Sequence, residues 1–145
     1  MIIYPVKNHV ITSPYGKRVL NGAEEFHNGL DFISRESSKV YAITDGLVCF
    51  DKDDYSELRR WAPDMINSGG NYIIISHIIK GNNYFCRYLH LKENHVSKGD
   101  KIICGQDLGD YADVGRSFGA HLHFDCYNEK WVNIDPTFIF EGVKQ

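Results

Sequence analysis

The chain has no CxxC pair, no apolar run long enough to span a bilayer, no block of like charge and no internal repeat. Each absence removes a class of protein. Cys49, Cys86, Cys104 and Cys126 stand singly, so a cysteine-based zinc site is disfavoured. Each lies among apolar neighbours that read as strand, and buried free thiols, suited to a reducing cytosol, are the expectation. A net charge of −3 gives no electrostatic case for nucleic acid. The amino terminus, MIIYPVKNHV, shows no basic stretch followed by an apolar core, so no secretory leader is visible. No membrane span is expected. No helical period persists over a dozen residues, and short helical turns are the most that is expected.

What remains is a chain of 145 residues with 43% hydrophobic and 24% charged residues, ordinary values for one globular domain over 1–145. Gly and Asn-Gly punctuation separates short β-branched and aromatic runs. VYAITDGLVCF (40–50), NYIIISHII (71–79), NYFCRYLHL (83–91) and HLHFDCY (121–127) read as strands, with GNN (81–83) as a hairpin turn. KGDKIICGQDLGDYA (98–112) reads as two short strands around turns. The polar segment 51–70 reads as a surface insertion, with Asp53 or Asp54 capping a short helical turn that ends near Pro63.

The chemistry is concentrated in the histidines. Side chains alternate faces along a strand, so His121, His123 and Asp125 share one side of GAHLHFDCY while Leu122, Phe124 and Cys126 face the core. In FHNGLDF (26–32), His27, Gly29 and Asp31 share one face, and Gly29 leaves room between two ligands for an ion. Together these residues offer two or three nitrogens and a carboxylate, the donor set of a zinc site with one position open. In YLHL (88–91) the alternation places Tyr88 and His90 on one face and Leu89 and Leu91 on the other. His9 and His95 read as solvated surface residues and His77 as a cross-strand partner, without a functional role. Spacing leaves open which of His121 and His123 holds metal.

With His27-x3-Asp31, YLHL and HLHF in this order, the chain resembles the LytM/lysostaphin-like zinc endopeptidases of peptidoglycan, peptidase family M23. The resemblance runs from ITSPYGKR (11–18) to IDPTFIF (134–140), through GGNYIIISH, VSKGDKI and GQDLG. It implies a mainly antiparallel β-sheet crossed by a substrate groove, the duplicated-hybrid-motif architecture. It implies one Zn²⁺ ion held by His27, Asp31 and His123, with His90 and His121 as the catalytic histidines. One of those two would orient or deprotonate a water, and the other would steady the oxyanion and help protonate the leaving amine. The substrate implied is the peptide stem or cross-bridge of bacterial cell wall, cut by a monomer. Lacking a visible leader, such a protein fits a phage- or prophage-type lysin made in host cytoplasm.

Three departures accompany the resemblance. Segment 51–70 is longer than usual, GRSFGA places Phe118 near the site, and no cell-wall-binding module or inhibitory pro-segment is recognisable. Rival classes fit less well. A non-catalytic LytM-like regulator or peptidoglycan-binding module commonly lacks ligands that this chain keeps. Lipoyl and biotinyl carrier domains share half-motifs with VYAITDGLVCF and VSKGDKIICGQDLG but need a modified lysine at a hairpin tip. A cupin would need a further Glu and His, and a D-Ala-D-Ala dipeptidase a longer His-to-Asp gap.

Overall fold

The computed structural model describes residues 1–53, 70–113 and 119–144. Twelve strands are described: β1 (His9–Ser13), β2 (Gly16–Leu20), β3 (Ala23–His27), β4 (Gly29–Ser34), β5 (Lys39–Tyr41), β6 (Gly46–Lys52), β7 (Asn71–Ile79), β8 (Asn82–Asn94), β9 (Lys101–Ile102), β10 (Asp107–Tyr111), β11 (Leu122–Tyr127) and β12 (Asn133–Ile134). A 3₁₀ turn at Pro136–Phe140 follows, capped by the Asp135 carboxylate on the Thr137 amide. Every pairing is antiparallel, and the main sheet runs β1-β4-β11-β8-β7-β6-β9. Strands β10 and β12 join its flanks, with β5 paired to β10, while β2 and β3 form a separate hairpin. Among the described residues no helix is long and apolar enough to cross a membrane.

Two-residue turns set the hairpins. Asn21-Gly22 joins β2 to β3 and Lys80-Gly81 joins β7 to β8, all four residues at positive φ. That is the backbone a right-twisted hairpin requires, and it explains the glycine at each second position. The turn is therefore 80–81, and Asn82 and Asn83 belong to β8. One expected strand divides in two. VYAITDGLVCF breaks between β5 and β6 because the chain changes neighbours there: β5 pairs with β10, whereas β6 pairs with β7 and β9. The Asp45 carboxylate secures the corner by accepting the Cys104 amide at 2.7 Å.

Alternation along β11 is strict. Leu122, Phe124 and Cys126 are fully buried against Phe32, Tyr88, Ile73, Ile75 and Phe140, which form the core beneath the sheet. Phe124 packs edge-on against both Phe32 and Tyr88, at centroid distances of 6.4 and 5.2 Å. Cys86 and Cys126 face each other across β8 and β11 as buried free thiols, Sγ to Sγ 4.0 Å. Cys49 and Cys104 are only half-buried, so full burial holds for two of the four. His9 also departs from expectation: it is half-buried and stacks on Tyr4 at 3.6 Å. The helical turn expected within 51–70 and the position of Phe118 lie outside the described residues.

Candidate metal and active site

The register of the sheet places the polar residues. His123 on β11 lies directly opposite Asp31 on β4, and Asp125 lies opposite Gly29. His27 ends β3 with only Asn28 between it and β4, so the chain folds its ring over the same spot. Three donor atoms converge there. His27 Nε2 is 3.1 Å from Asp31 Oδ1, His123 Nδ1 is 3.0 Å from the same oxygen, and the two nitrogens are 3.3 Å apart. All three residues are buried.

Each ring is held by its other nitrogen. His27 Nδ1–H donates to the Pro14 carbonyl at 2.8 Å, leaving the Nε2 lone pair on the cluster side. His123 Nε2–H donates to Asp125 Oδ2 at 3.0 Å, which turns Nδ1 toward Asp31. Asp125 is fully buried and takes a two-pronged contact from Arg87, at 2.7 and 2.6 Å. Arg18 holds the outer oxygen of Asp31 at 3.4 Å while bonding Ser13 and Glu25. Such outer contacts fix tautomer and ring orientation in metal sites.

The expected function of Gly29 changes. A Cβ there would run into the Phe124 carbonyl oxygen and lie 2.9 Å from His123 Nε2 and from the Asp125 Cβ. The missing side chain makes room for the His123–Asp125 contact, not for an ion.

His90 reaches the site by a different route from the one its sequence pattern predicts. Tyr88 is buried in the core, its hydroxyl bonded to His77 Nε2 and the Ile43 amide, so Tyr88 and His90 do not share a face. Along β7, Asn71 pairs with Leu91 and Tyr72 with Leu89, which leaves His90 as the extra residue of a β-bulge. Its φ is +68°, a left-handed backbone, and its carbonyl accepts the Ala112 amide at 2.9 Å. The bulge swings His90 out of the alternation and onto the site, with ring centroids 4.7 Å from His121 and 5.9 Å from His123. His121 precedes β11, donates Nδ1–H to the Gly119 carbonyl at 2.9 Å, and turns Nε2 to 3.6 Å from Asp31 Oδ1. The structure therefore brings all five residues singled out from the sequence to one cleft of about 590 Å³, rimmed by exposed Val19 and Phe26 of the β2–β3 hairpin.

Electrostatics at this spot favours a cation. Burial works to raise the Asp31 carboxyl, but hydrogen bonds from His123 and His27 outweigh it and hold the group well below the usual carboxylate range. Burial likewise pushes the His123 imidazole down, and its contacts with Asp125 and Asp31 overcome this and raise it. A proton or a metal ion at Nδ1 answers the same demand. Bonds of about 2.0–2.1 Å in a tetrahedron give donor-to-donor edges of about 3.3 Å, close to the observed 3.0–3.3 Å triangle. The donor set of two imidazoles and one carboxylate fits zinc.

Pattern reading missed Arg18 and Arg87. Arg87 sits two residues before Leu89 on the same face as His123 and Asp125, directly across from Asp125, so an arginine on the polar face of a core strand was the available signal.

The model of peptidase family M23 matches residues 25–136, well over half of the chain. Peptidoglycan DD-endopeptidase ShyA of Vibrio cholerae is 36% identical over 99 residues, covering 68% of this chain and 20% of that protein. The chain spans about a fifth to a quarter of the length of the curated relatives it matches. A zinc-containing peptidase from Vibrio cholerae superposes with TM-score 0.71 at 31% identity, over 92% of this chain and 38% of that one. The catalytic domain of lysostaphin from Staphylococcus simulans gives TM-score 0.69 at 27% identity, over 92% and 93% of the two chains. With its antiparallel sheet and its buried His/Asp cluster at the floor of a cleft, the chain belongs to peptidase family M23.

Proposed function

We propose that the protein is a zinc metalloendopeptidase that hydrolyses peptide bonds in the stems or cross-bridges of bacterial peptidoglycan. The observation that carries this reading is the convergence of His27 Nε2, Asp31 Oδ1 and His123 Nδ1 in one cleft with His90 and His121. His27, Asp31 and His123 would hold the ion, and their second contacts to Pro14, Arg18 and Asp125 keep the donor atoms aimed. Zinc bound by such a set supplies Lewis acidity and lets water attack at neutral pH.

The remaining steps belong to the two other histidines. His121, its Nδ1–H held by the Gly119 carbonyl, presents the Nε2 lone pair to the cleft and takes the proton of the attacking water. His90 faces it across 4.7 Å and donates to the carbonyl oxygen as negative charge develops there. The proton on His121 then passes to the leaving amine. A non-catalytic regulator would have no use for a histidine carried on a left-handed bulge into the cleft.

The test is mass spectrometry of fragments released from purified peptidoglycan, with chelator and after zinc is restored. New amino termini in stem or bridge peptides, lost on chelation and regained with zinc, are expected. His90→Ala should retain zinc and lose turnover by about 10²–10⁴-fold. A His90→Ala protein that cuts normally would remove His90 from the mechanism. Zinc-loaded protein that releases nothing from walls of several chemistries would shift the reading to a binding module.

A further inference from the structure

The sheet face that carries His123 and Asp125 also carries, further along β11 and β8, a set of rings with no part in the chemistry above. Trp131, in the loop joining β11 to β12, stacks on Phe85 of β8 with centroids 4.2 Å apart and planes within 9°. Tyr127, opposite Phe85 in register, lies 5.9 Å from the indole. The Arg87 guanidinium sits 5.3 Å from the Tyr127 ring and 5.8 Å from that of Tyr72. Trp131 is 52% exposed, with its ring stacked on Phe85.

The loop is built to hold this ring. Asn128 Oδ1 accepts the amides of Lys130 and Val132, the Asn128 amide donates to the Val132 carbonyl, and the Trp131 amide donates to the Asn128 carbonyl. Trp131 has φ +60°, a left-handed conformation that costs a non-glycine residue about 1–3 kcal/mol. Glycine would hold the same turn without that cost. Burial does not offset it either, since the ring is half in water. What tryptophan adds here is a fixed, exposed aromatic face.

Position and chemistry narrow the occupant. Tyr127 lies four residues along β11 from His123, about 13 Å by strand rise. An extended peptide of four residues spans at most about 13–14 Å. A stem peptide lying along β11 toward Tyr127, with its scissile bond at the metal cluster, would place its sugar attachment point beside Tyr127, Phe85 and Trp131. A pyranose offers a flat C–H face to an electron-rich ring and hydroxyl or acetamido groups to a polar rim. The rim here is the Arg87 guanidinium and the Ser76 hydroxyl, itself bonded to Asn83. Three rings partly covering one another offer much less than the ~800 Å² per side of a stable protein interface.

We propose that the Trp131–Phe85–Tyr127 platform binds the glycan strand that carries the cleaved peptide, an N-acetylated aminosugar polymer. This rests on the peptidase reading for its geometry but is tested separately from it. The probe is a peptide-free tetramer of N-acetylglucosamine, titrated while the Trp131 indole N–H is followed by NMR, with Trp131→Gly identifying the signal. Alongside it, kcat/KM is measured on glycan-attached and on glycan-free stem peptides.

The tetramer should shift the Trp131 signal. In Trp131→Gly, the ratio of kcat/KM on attached over free peptide should fall about tenfold. Trp131→Phe, which keeps a ring, should recover most of that ratio. An unmoved indole signal together with an unchanged ratio would overturn the proposal. So would Trp131→Phe falling as far as Trp131→Gly, or a wild-type dimer that Trp131→Gly dissociates, which would make the face a contact between copies. If neither peptide is cut while the tetramer still shifts Trp131, the peptidase reading fails and the platform stands.

Discussion

Among the described residues there are two clusters of histidine and carboxylate, built from the same residue types and opposite in behaviour. One is His27, Asp31 and His123 on the cleft floor; the other is Glu93, His95, Asp107 and Asp110 on the β8–β10 surface. In the first, each imidazole spends one nitrogen on an outer acceptor, Pro14 or Asp125, and turns the other inward. In the second, His95 directs one nitrogen to Asp107 at 2.9 Å and the other to Glu93 at 3.2 Å. With a carboxylate on both sides, His95 is drawn toward its charged form, and Lys39 adds a positive charge 3.4 Å from Asp107. Proximity of donors is common to both clusters. What distinguishes a metal site is burial together with a second contact that leaves a lone pair aimed at a shared point.

The largest effect that could break this comparison is on metal content. His123→Ala should lower zinc affinity by at least about 100-fold, read as bound metal after dialysis, and abolish turnover with it. His95→Ala should keep the full complement. Equal metal loss in the two variants would mean that the surface cluster, or both, binds the ion.

The outer contacts supply the next test. Asp125 is fully buried, and burial pushes its carboxyl up while the Arg87 and His123 contacts outweigh that and hold it below its ordinary range. Arg87→Met would leave the carboxylate with His123 alone. A loss of about 3–5 kcal/mol in urea unfolding is expected, as for other buried pairs broken on one side. A loss below about 1 kcal/mol would show Arg87 to be no more important than a surface pair.

How far the site could be read from the chain follows from the same distinction. Strands β7 and β11 were legible because their alternation is unbroken, and on β11 it correctly sent His123 and Asp125 to one face and Phe124 to the core. The division of 40–50 into β5 and β6 was not legible, because the break reflects a change of partner strands. His90 is the sharper case. Period-two reading pairs it with Tyr88, yet the bulge opposite Asn71 and Tyr72 separates them, and a bulge is a property of two strands in register. Family resemblance placed His90 beside the cluster where alternation misassigned its neighbour. Gly29 was noticed for the right reason, an absent side chain, and given the wrong occupant, since the space belongs to the His123–Asp125 contact.

Two histidines outside the cleft carry the comparison of buried with exposed into pH dependence, with opposite signs. His77 is fully buried, its Nδ1–H on the Asp45 carbonyl and its Nε2 accepting from Tyr88. Burial lowers it to about 4. The unfolded chain takes up this proton near pH 6.5 and the folded one only near 4, so stability present above 6.5 is lost as pH falls between them. The loss approaches about 3 kcal/mol. His77→Gln, which does not titrate, should show a correspondingly shallower fall in urea unfolding from pH 6.5 to 4. Parallel curves would show that the burial of His77 is not what sets its protonation.

His95 is the smaller and reversed case. Its contacts with Glu93 and Asp107 raise it above its ordinary value, so the folded chain holds this proton to higher pH than the unfolded one. Its stabilisation is complete below 6.5 and disappears as pH rises through the raised folded value. The residue is exposed, so solvent and salt screen the charge and the contribution stays under about 1 kcal/mol. His95→Gln should therefore be slightly less stable than wild type at pH 5.5 in low salt, equal to it at pH 9, and equal at both in about 1 M salt. A difference that survives both alkaline pH and salt would mean that His95 acts through packing, and the surface cluster would then resemble the buried one more than its exposure suggests.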